Sequence, residues 1–286
     1  MNVPTNGDII HSINTTFVNF LLIENVNSVL EKNTENILVE ECGNGKKYQS
    51  KIITIYRITS EVSNMLFECE EHEYYRGETC PICGKKGKFL MNDRELNSLS
   101  RIIAGALRHF PDKLRLDMDG HGWVEISHLI EAIGSSRSGF NWLRLHHIQA
   151  LAATDPRGRY QIDGGMIRAK YGHSIDVNLD DLPIADADEF FYPVTEEEAD
   201  IVLENGIQPI DRKKVHLSTT IEKAVEAGSV RSDHPLIIRV DGEKARENGV
   251  EIFQASNDVC VTESIDAEYL TQVDDEVVDK ILKEKR

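Results

Sequence analysis

The sequence predicts an α+β protein with more than one compact region, and three observations carry that prediction. Between residues 93 and 178, two helical apolar patterns precede a pair of short strands around an Asp-Gly-Gly turn. Between residues 179 and 286, strand-like stretches outnumber helical ones. Ahead of both, residues 66–90 concentrate cysteine and histidine at metal-ligand spacing. A chain of 286 residues is long enough for two small domains.

Residues 1–65 read as an N-terminal extension of unknown role. "TTFVNFLLI" and "KIITIYRIT" look like strands, with turn residues such as "ECGNGKK" between them. No chemistry attaches to them. Residues 66–92 form the predicted zinc module, in which Cys69, His72, Cys80 and Cys83 are the expected ligands. In "CPICG" the two thiols face inward around a tight turn closed by Gly84. Four ligands leave no open position, so the expected zinc is structural. A redox CxxC is the competing reading, and the Cys69–His72 pair at matching spacing weighs against it. Cys42 and Cys260 are expected to be reduced thiols.

In residues 93–178, Asn92 and Glu95 suit a capping box. Leu96, Leu99, Ile103, Ala106 and Leu107 follow as a helical stripe that ends at "LRHFP". "DGHGWVEI" reads as a turn and strand, with Trp123 as a core anchor. Ser127 is expected to cap "SHLIEAI", and "NWLRLHHIQALAAT" to form another helix. His121, His128, His146 and His147 are read as surface or packing residues. "GRYQI" and "MIRAKYG" then form two strands. Helix, helix and two-stranded wing make the winged-helix pattern. Strand alternation puts Arg168 and Lys170 on one face, with Ile167 and Ala169 on the other.

An acidic linker, "LDDLPIADADE", introduces residues 179–286. The strand candidates there are "FFYPV", "KVHLS", "PLIIRVD", "VEIFQAS" and "VCVTESI". "TEEEADIVLENG" and "TTIEKAVEAG" are the helical stretches between them, each ended by Gly. A small sandwich with a terminal amphipathic helix is expected.

Composition narrows the function classes. The formal net charge is −17, which disfavours an ordinary nucleic-acid binder. The charge is uneven: −3 over residues 1–92, +1 over 93–178 and −15 over 179–286. The middle segment also holds six of the ten histidines, so a polyanion is best tolerated there. No apolar stretch is long enough to span a bilayer. "MNVPTNGD" lacks a basic region before an apolar one, so the expected location is cytoplasmic, with no membrane partner.

In order, the chain offers "LSRIIAGALRHFP", "DGHGWVEISHLI", "DPRGRYQI", "IRAKYGHS", "KKVHLS", "VRSDHP" and "SIDAEYL". This series, over about residues 93–270, resembles the RNA 2′-phosphotransferase family. "CPICGKKGKFLM" is similar to the zinc module of archaeal members. The resemblance implies a winged-helix RNA lobe at 93–178. It implies an ADP-ribosyltransferase-like, NAD-binding lobe at 179–286. It also implies a catalytic set of Arg108, His109, Arg168 and Arg231, the last placed four residues before Pro235. The cofactor contacts it implies are Tyr192, Thr195, His216 and Ser218. Arg159, Lys170 and His173 are the candidate RNA contacts. The expected partners are NAD and 2′-phosphorylated RNA, tRNA among the options, with the protein a monomer. Pro193 and Val194 stand where the family carries His-Gly, Lys214 replaces the first His of "HVHLS", and Asp258 replaces a common Gly.

The resemblance implies NAD-dependent removal of an internal RNA 2′-phosphate by transfer to ADP-ribose, with nicotinamide released, and that reaction explains the residue types. Guanidinium forks grip phosphate oxygens in pairs and keep their charge. A histidine near the leaving oxygen hydrogen-bonds or passes a proton. Two competing readings are an ADP-ribosyltransferase acting on protein or nucleic-acid ends, and a non-catalytic zinc and winged-helix regulator. The second predicts a clear basic face, which a segment charge of +1 does not supply.

Overall fold

The computed structural model describes residues 64–284 and the backbone of a hairpin before them, β1 (Thr34–Glu41) and β2 (Gln49–Tyr56). The hairpin pairs from Thr34 opposite Tyr56 to Glu41 opposite Gln49. It belongs to a unit separate from residues 62–286, which hold everything described below. The expected strand "TTFVNFLLI", Cys42 and residues 43–48 lie outside the described residues.

A three-stranded antiparallel sheet opens the second unit: β3 (Leu66–Cys69), β4 (Glu73–Arg76) and β5 (Lys88–Met91), with β3 central. The sequence reading had no strands here. They form because alternation sends Phe67 and Cys69 to one face, where Phe67 stacks on Tyr75. Leu66, Leu90 and Met91 instead join the main core.

The capping box forms as expected: Asn92 accepts from the Glu95 N–H and Glu95 from the Asn92 N–H, each at 2.9 Å. It starts α1 (Asp93–Arg108), whose buried residues are Leu96, Leu99, Ile103, Ala106 and Leu107. Each fully buried aliphatic there contributes about 1.5–3 kcal/mol. The stripe packs with α2 (Ile126–Ser136), α3 (Leu145–Ala153) and the sheet β6 (Val124–Glu125), β8 (Met166–Ala169) and β7 (Tyr160–Asp163). Ser127 does not cap α2. The cap position is Glu125, and the Ser127 hydroxyl donates to the Glu125 carboxylate. The third helix starts at Leu145, later than expected, because residues 141–142 form a turn and Arg144 is extended at the cap position.

The acidic linker is strapped down rather than free. Leu179, Leu182 and Ala185 are buried, and the Ala185 N–H donates to the Ile252 carbonyl at 2.8 Å. Their apolar spacing clamps an otherwise solvated stretch. Beyond it lies one six-stranded antiparallel sheet instead of a sandwich. Its strands are β9 (Glu189–Val194), β10 (Val215–Ser218), β11 (Leu236–Asp241), β12 (Phe253–Gln254), β13 (Val259–Thr262) and β14 (Leu270–Gln272). The strand order is β12-β13-β10-β9-β11-β14. Helices α4 (Glu196–Asn205) and α5 (Ile221–Gly228) occur as expected, and α7 (Asp275–Glu284) is the terminal amphipathic helix. The short α6 (Gly242–Glu247), started by the Asp241 side chain on the Lys244 N–H, was not foreseen. Helices supply the cover a second sheet would give: Val278 of α7 packs with Ala224, Val225 and Ile237. Among the described residues no helix is long and apolar enough to cross a membrane.

Candidate active site and metal centre

Helix α1 ends by placing Arg108 against the 171–174 segment that follows β8. The Ser174 N–H donates to the Arg108 carbonyl at 3.0 Å. The guanidinium lies 4.8 Å from the centre of the Tyr171 ring. Its Nε and Nη2 are buried and have no hydrogen-bond partner. Burial pushes its pKa below the ordinary guanidinium value, and Arg159 and Arg212 push the same way. A buried cation with spare donors and no carboxylate partner has the chemistry to hold an anion.

Gly172 makes the approach possible. Its φ is +87°, and a Cβ there would stand 3.1 Å from Cζ and Nη1 of Arg108. Gly172→Ala is therefore expected to displace the guanidinium and cost about 1–2 kcal/mol through the positive φ. Unchanged Tm and unchanged phosphate affinity would contradict this.

Three histidines close round the arginine. His216 on β10 accepts the Gly172 N–H at its Nε2, 2.9 Å away. His173 is 4% exposed and its Nε2 has no partner. His109 lies with Nδ1 2.9 Å from the Ser174 hydroxyl and Nε2 3.2 Å from Nη1 of Arg212. The same Arg212 Nη1 donates to the Gly172 carbonyl at 2.6 Å. Burial and neighbouring guanidinium groups hold His173 and His216 down to about 4, and lower His109 as well. His147, buried on α3 and accepting the Arg144 N–H, is also held at about 4.

These depressed values have a sign. An unfolded histidine takes up its proton near pH 6.5, but the native ones refuse it until near 4. The unfolded state binds more protons in that window, so stability drops as pH falls from about 6.5 towards 4. The urea midpoint is expected to be clearly lower at pH 5 than at pH 7, and His173→Gln to flatten the slope. A midpoint level across that range would refute the assignment.

The other expected site residues are placed differently. Arg168 does not turn towards the Arg108–His109 cluster with free donors. It is 1% exposed, bonded to Gln161 (2.8 and 3.0 Å) and Asp181 (2.8 Å), with Trp123 4.5 Å from its guanidinium. Alternation alone suggested a free polar face, but Trp123 and the clamped linker cover it. Its charge still helps to depress His173. Arg159, an expected RNA contact, is locked on Asp155 at 2.6–3.1 Å and on the Ser100 hydroxyl at 3.0 Å. Lys170 is half-buried on the extension of β8. Arg231 is exposed and pairs with Glu198 at 2.9 Å and the Pro193 carbonyl at 3.4 Å. Glu198 also accepts the Thr195 N–H at 3.0 Å, so Thr195 marks the start of α4 beside Arg231. Tyr192 lies near that pair, and burial above all raises the pKa of its phenol, with Arg231 opposing and Glu198 adding to the shift. Ser218 is buried at the end of β10 and lines a cleft of about 230 Å³ with Tyr171, Lys223 and Asp258.

The sequence reading missed Arg212. The signal was an arginine directly ahead of "KKVHLS", in a run whose other cations pair with Asp176 and Glu263.

The four expected metal ligands converge. Cys69 Sγ lies 3.6 Å from His72 Nδ1 and 3.7 Å from Cys83 Sγ, and Cys80 Sγ lies 3.7 Å from His72 Nδ1. A tetrahedral zinc with bonds of about 2.3 Å to sulfur and 2.0–2.1 Å to nitrogen requires edges of about 3.8 and 3.6 Å. The set therefore fits a tetrahedral metal. N–H groups of the "CPICG" turn, that of Cys83 foremost, bring the Cys80 thiol down to about 7, towards the thiolate a metal needs. Cys260 is the opposite case, a buried thiol raised to about 12.

Residues 93–264 match the family model described as "RNA 2'-phosphotransferase, Tpt1 / KptA family". The chain is 43% identical over 202 residues to "Probable RNA 2'-phosphotransferase 1" of Archaeoglobus fulgidus, covering 71% of this chain and 92% of the relative. It is 42% identical over 208 residues to the "Probable RNA 2'-phosphotransferase" of Thermoplasma volcanium, covering 72% and 88%. With the protein of that name from Methanosarcina barkeri it shares 39% over 211 residues, 74% of this chain and all of the relative. The chain belongs to the RNA 2′-phosphotransferase family, a family of transferases.

Proposed function

We propose that this chain removes an internal 2′-phosphate from RNA by transfer to the ADP-ribose part of NAD. The products are RNA with a free 2′-hydroxyl, nicotinamide and ADP-ribose 1″,2″-cyclic phosphate. One observation carries the reading: Arg108 is a buried cation with two unpartnered donors, ringed by histidines rather than carboxylates. A phosphate dianion supplies the charge and the paired acceptor oxygens that this guanidinium lacks. Family membership points to the same substrate.

In this reading residues 93–178 are a winged-helix RNA lobe and 179–286 an ADP-ribosyltransferase-like NAD lobe. Arg108 grips the phosphate, and His109 hydrogen-bonds or passes a proton once substrate takes the place of one of its two ring contacts. Arg168 supports the crevice from beneath, and Arg231 approaches from the NAD lobe with Glu198 holding it in place. His216 and Ser218, with Tyr192 and Thr195, are the proposed NAD contacts, and the Ser218 cleft next to Tyr171 supports them. Lys170 and His173 flank the RNA. Arg159, already neutralised by Asp155, acts as a support for Tyr160 and Ser100. Cys69, His72, Cys80 and Cys83 hold a structural zinc. The proposed setting is tRNA processing by a cytoplasmic monomer.

The test is direct. The protein is mixed with NAD and a short 2′-phosphorylated RNA. ADP-ribose cyclic phosphate and dephosphorylated RNA should appear together. A lasting ADP-ribosylated acceptor would favour the plain ADP-ribosyltransferase, and no NAD consumption would remove the reading.

A further inference from the structure

His109 is held at both ring nitrogens by groups of different kinds. At Nε2 the neighbour is Arg212, and a guanidinium has five N–H donors and no acceptor. The ring must therefore receive at Nε2, which puts the proton of the neutral imidazole on Nδ1. That Nδ1–H faces the Ser174 hydroxyl at 2.9 Å, an acceptor ready for it. The tautomer follows from these two contacts alone.

Arg212 reaches His109 from a different part of the fold. It lies just before β10, whereas His109 follows α1, 103 residues earlier. Its Nη1 also takes the Gly172 carbonyl, the residue whose N–H is held by His216. The neighbouring Lys213 N–H donates to the His173 carbonyl at 3.0 Å. The 212–216 segment thus lies as a ladder along 172–173 and fixes Arg212 in place. No carboxylate pairs with Arg212 among the described residues, and its Nε and Nη2 make no protein hydrogen bond there.

We infer that Arg212 is a positioning residue of this reaction: it holds His109 in one orientation and one tautomer, beside the proposed phosphate grip of Arg108. This rests on the proposed phosphotransfer. The groups that face His109 are Arg108 from its own helix, Arg212, the neutral His173, the Ser174 hydroxyl and the Phe110 ring. Burial first, then the cations Arg212 and Arg108, lower the pKa of His109, so this setting favours the uncharged imidazole.

The experiment uses the full-length protein as wild type, Arg212→Ala and Arg212→Lys, with NAD and 2′-phosphorylated RNA across pH 5–8. Arg212→Ala is expected to lower kcat about 10²-fold, with KM for either substrate changed less than about threefold. The acid limb of its kcat profile should move to higher pH, because a cation beside His109 is gone. Arg212→Lys, which keeps the charge without the fork, should leave that limb near its wild-type position and restore part of kcat. An unchanged kcat in Arg212→Ala overturns the inference. So does a lower kcat with an unmoved acid limb, which would make Arg212 a mere support or a direct substrate contact. If the wild type shows no turnover, the phosphotransfer reading fails instead. Nitrogen chemical shifts of His109 then still judge the inference: one fixed Nδ1–H tautomer in wild type should become a mixture in Arg212→Ala, and identical spectra would overturn it.

Discussion

Replacing Arg108 by methionine is expected to abolish turnover and, at the same time, to raise Tm. The two effects share one cause. In the free protein the guanidinium is largely buried, two of its donor nitrogens lack partners, and the nearest other charges are cations. Leaving such a group in a low-dielectric crevice costs about 1–3 kcal/mol for the unmet donors alone. Methionine fills similar space over the Tyr171 ring without that cost. A gain of that size moves Tm upward by a few degrees in a unit of this length. The same change removes the fixed positive charge from the proposed phosphate grip. Loss of one such transition-state contact lowers kcat by about 10³-fold or more. Differential scanning calorimetry and the NAD-dependent assay check the two halves. A 2′-phosphorylated RNA should raise the wild-type Tm by mass action and leave Arg108→Met unmoved. A variant that is both active and less stable would show that Arg108 packs rather than binds.

Removing the proposed zinc should be at least as severe. Burial of side chains contributes little to the module outside Phe67, Tyr75 and the ligands themselves. Zinc binding supplies about 10–16 kcal/mol of folding free energy in isolated fingers of comparable size. Leu66, Leu90 and Met91 belong to the module by sequence and to the main core by packing. Its unfolding would therefore strip three side chains from the core under α1. Cys80→Ser and Cys83→Ser are expected to purify with far less than one zinc per chain and to melt well below wild type. Chelation of wild type should release one zinc per chain with a loss of structure. Full stability in a zinc-free protein would refute a structural metal here.

Much of this was legible in the sequence. The convergence of the candidate metal ligands was readable because their spacing is local: a tight turn brings Cys80 and Cys83 together, whatever the rest of the chain does. Helix α1 was readable because its cap and apolar stripe lie within sixteen residues. The strands of residues 179–286 were mostly recognised as strands, yet their assembly into one sheet was not. Whether a second sheet or helices cover a strand's apolar face depends on partners far along the chain. The linker failed for a similar reason, since its acidic residues dominated the reading while Leu179, Leu182 and Ala185 determined its packing.

By itself, the sequence determined which chemistry is available: a guanidinium and an imidazole at a helix end, a histidine strand and a four-ligand metal set. Only the tertiary structure decided which charges remain unspent. Arg159 and Arg168 look like Arg108 in the sequence, but Asp155 and Asp181 neutralise them, while Arg108 meets only cations, rings and the bare backbone of Gly172. Charge compensation acts over a few ångströms of space, and the partners lie 4 to 64 residues away along the chain.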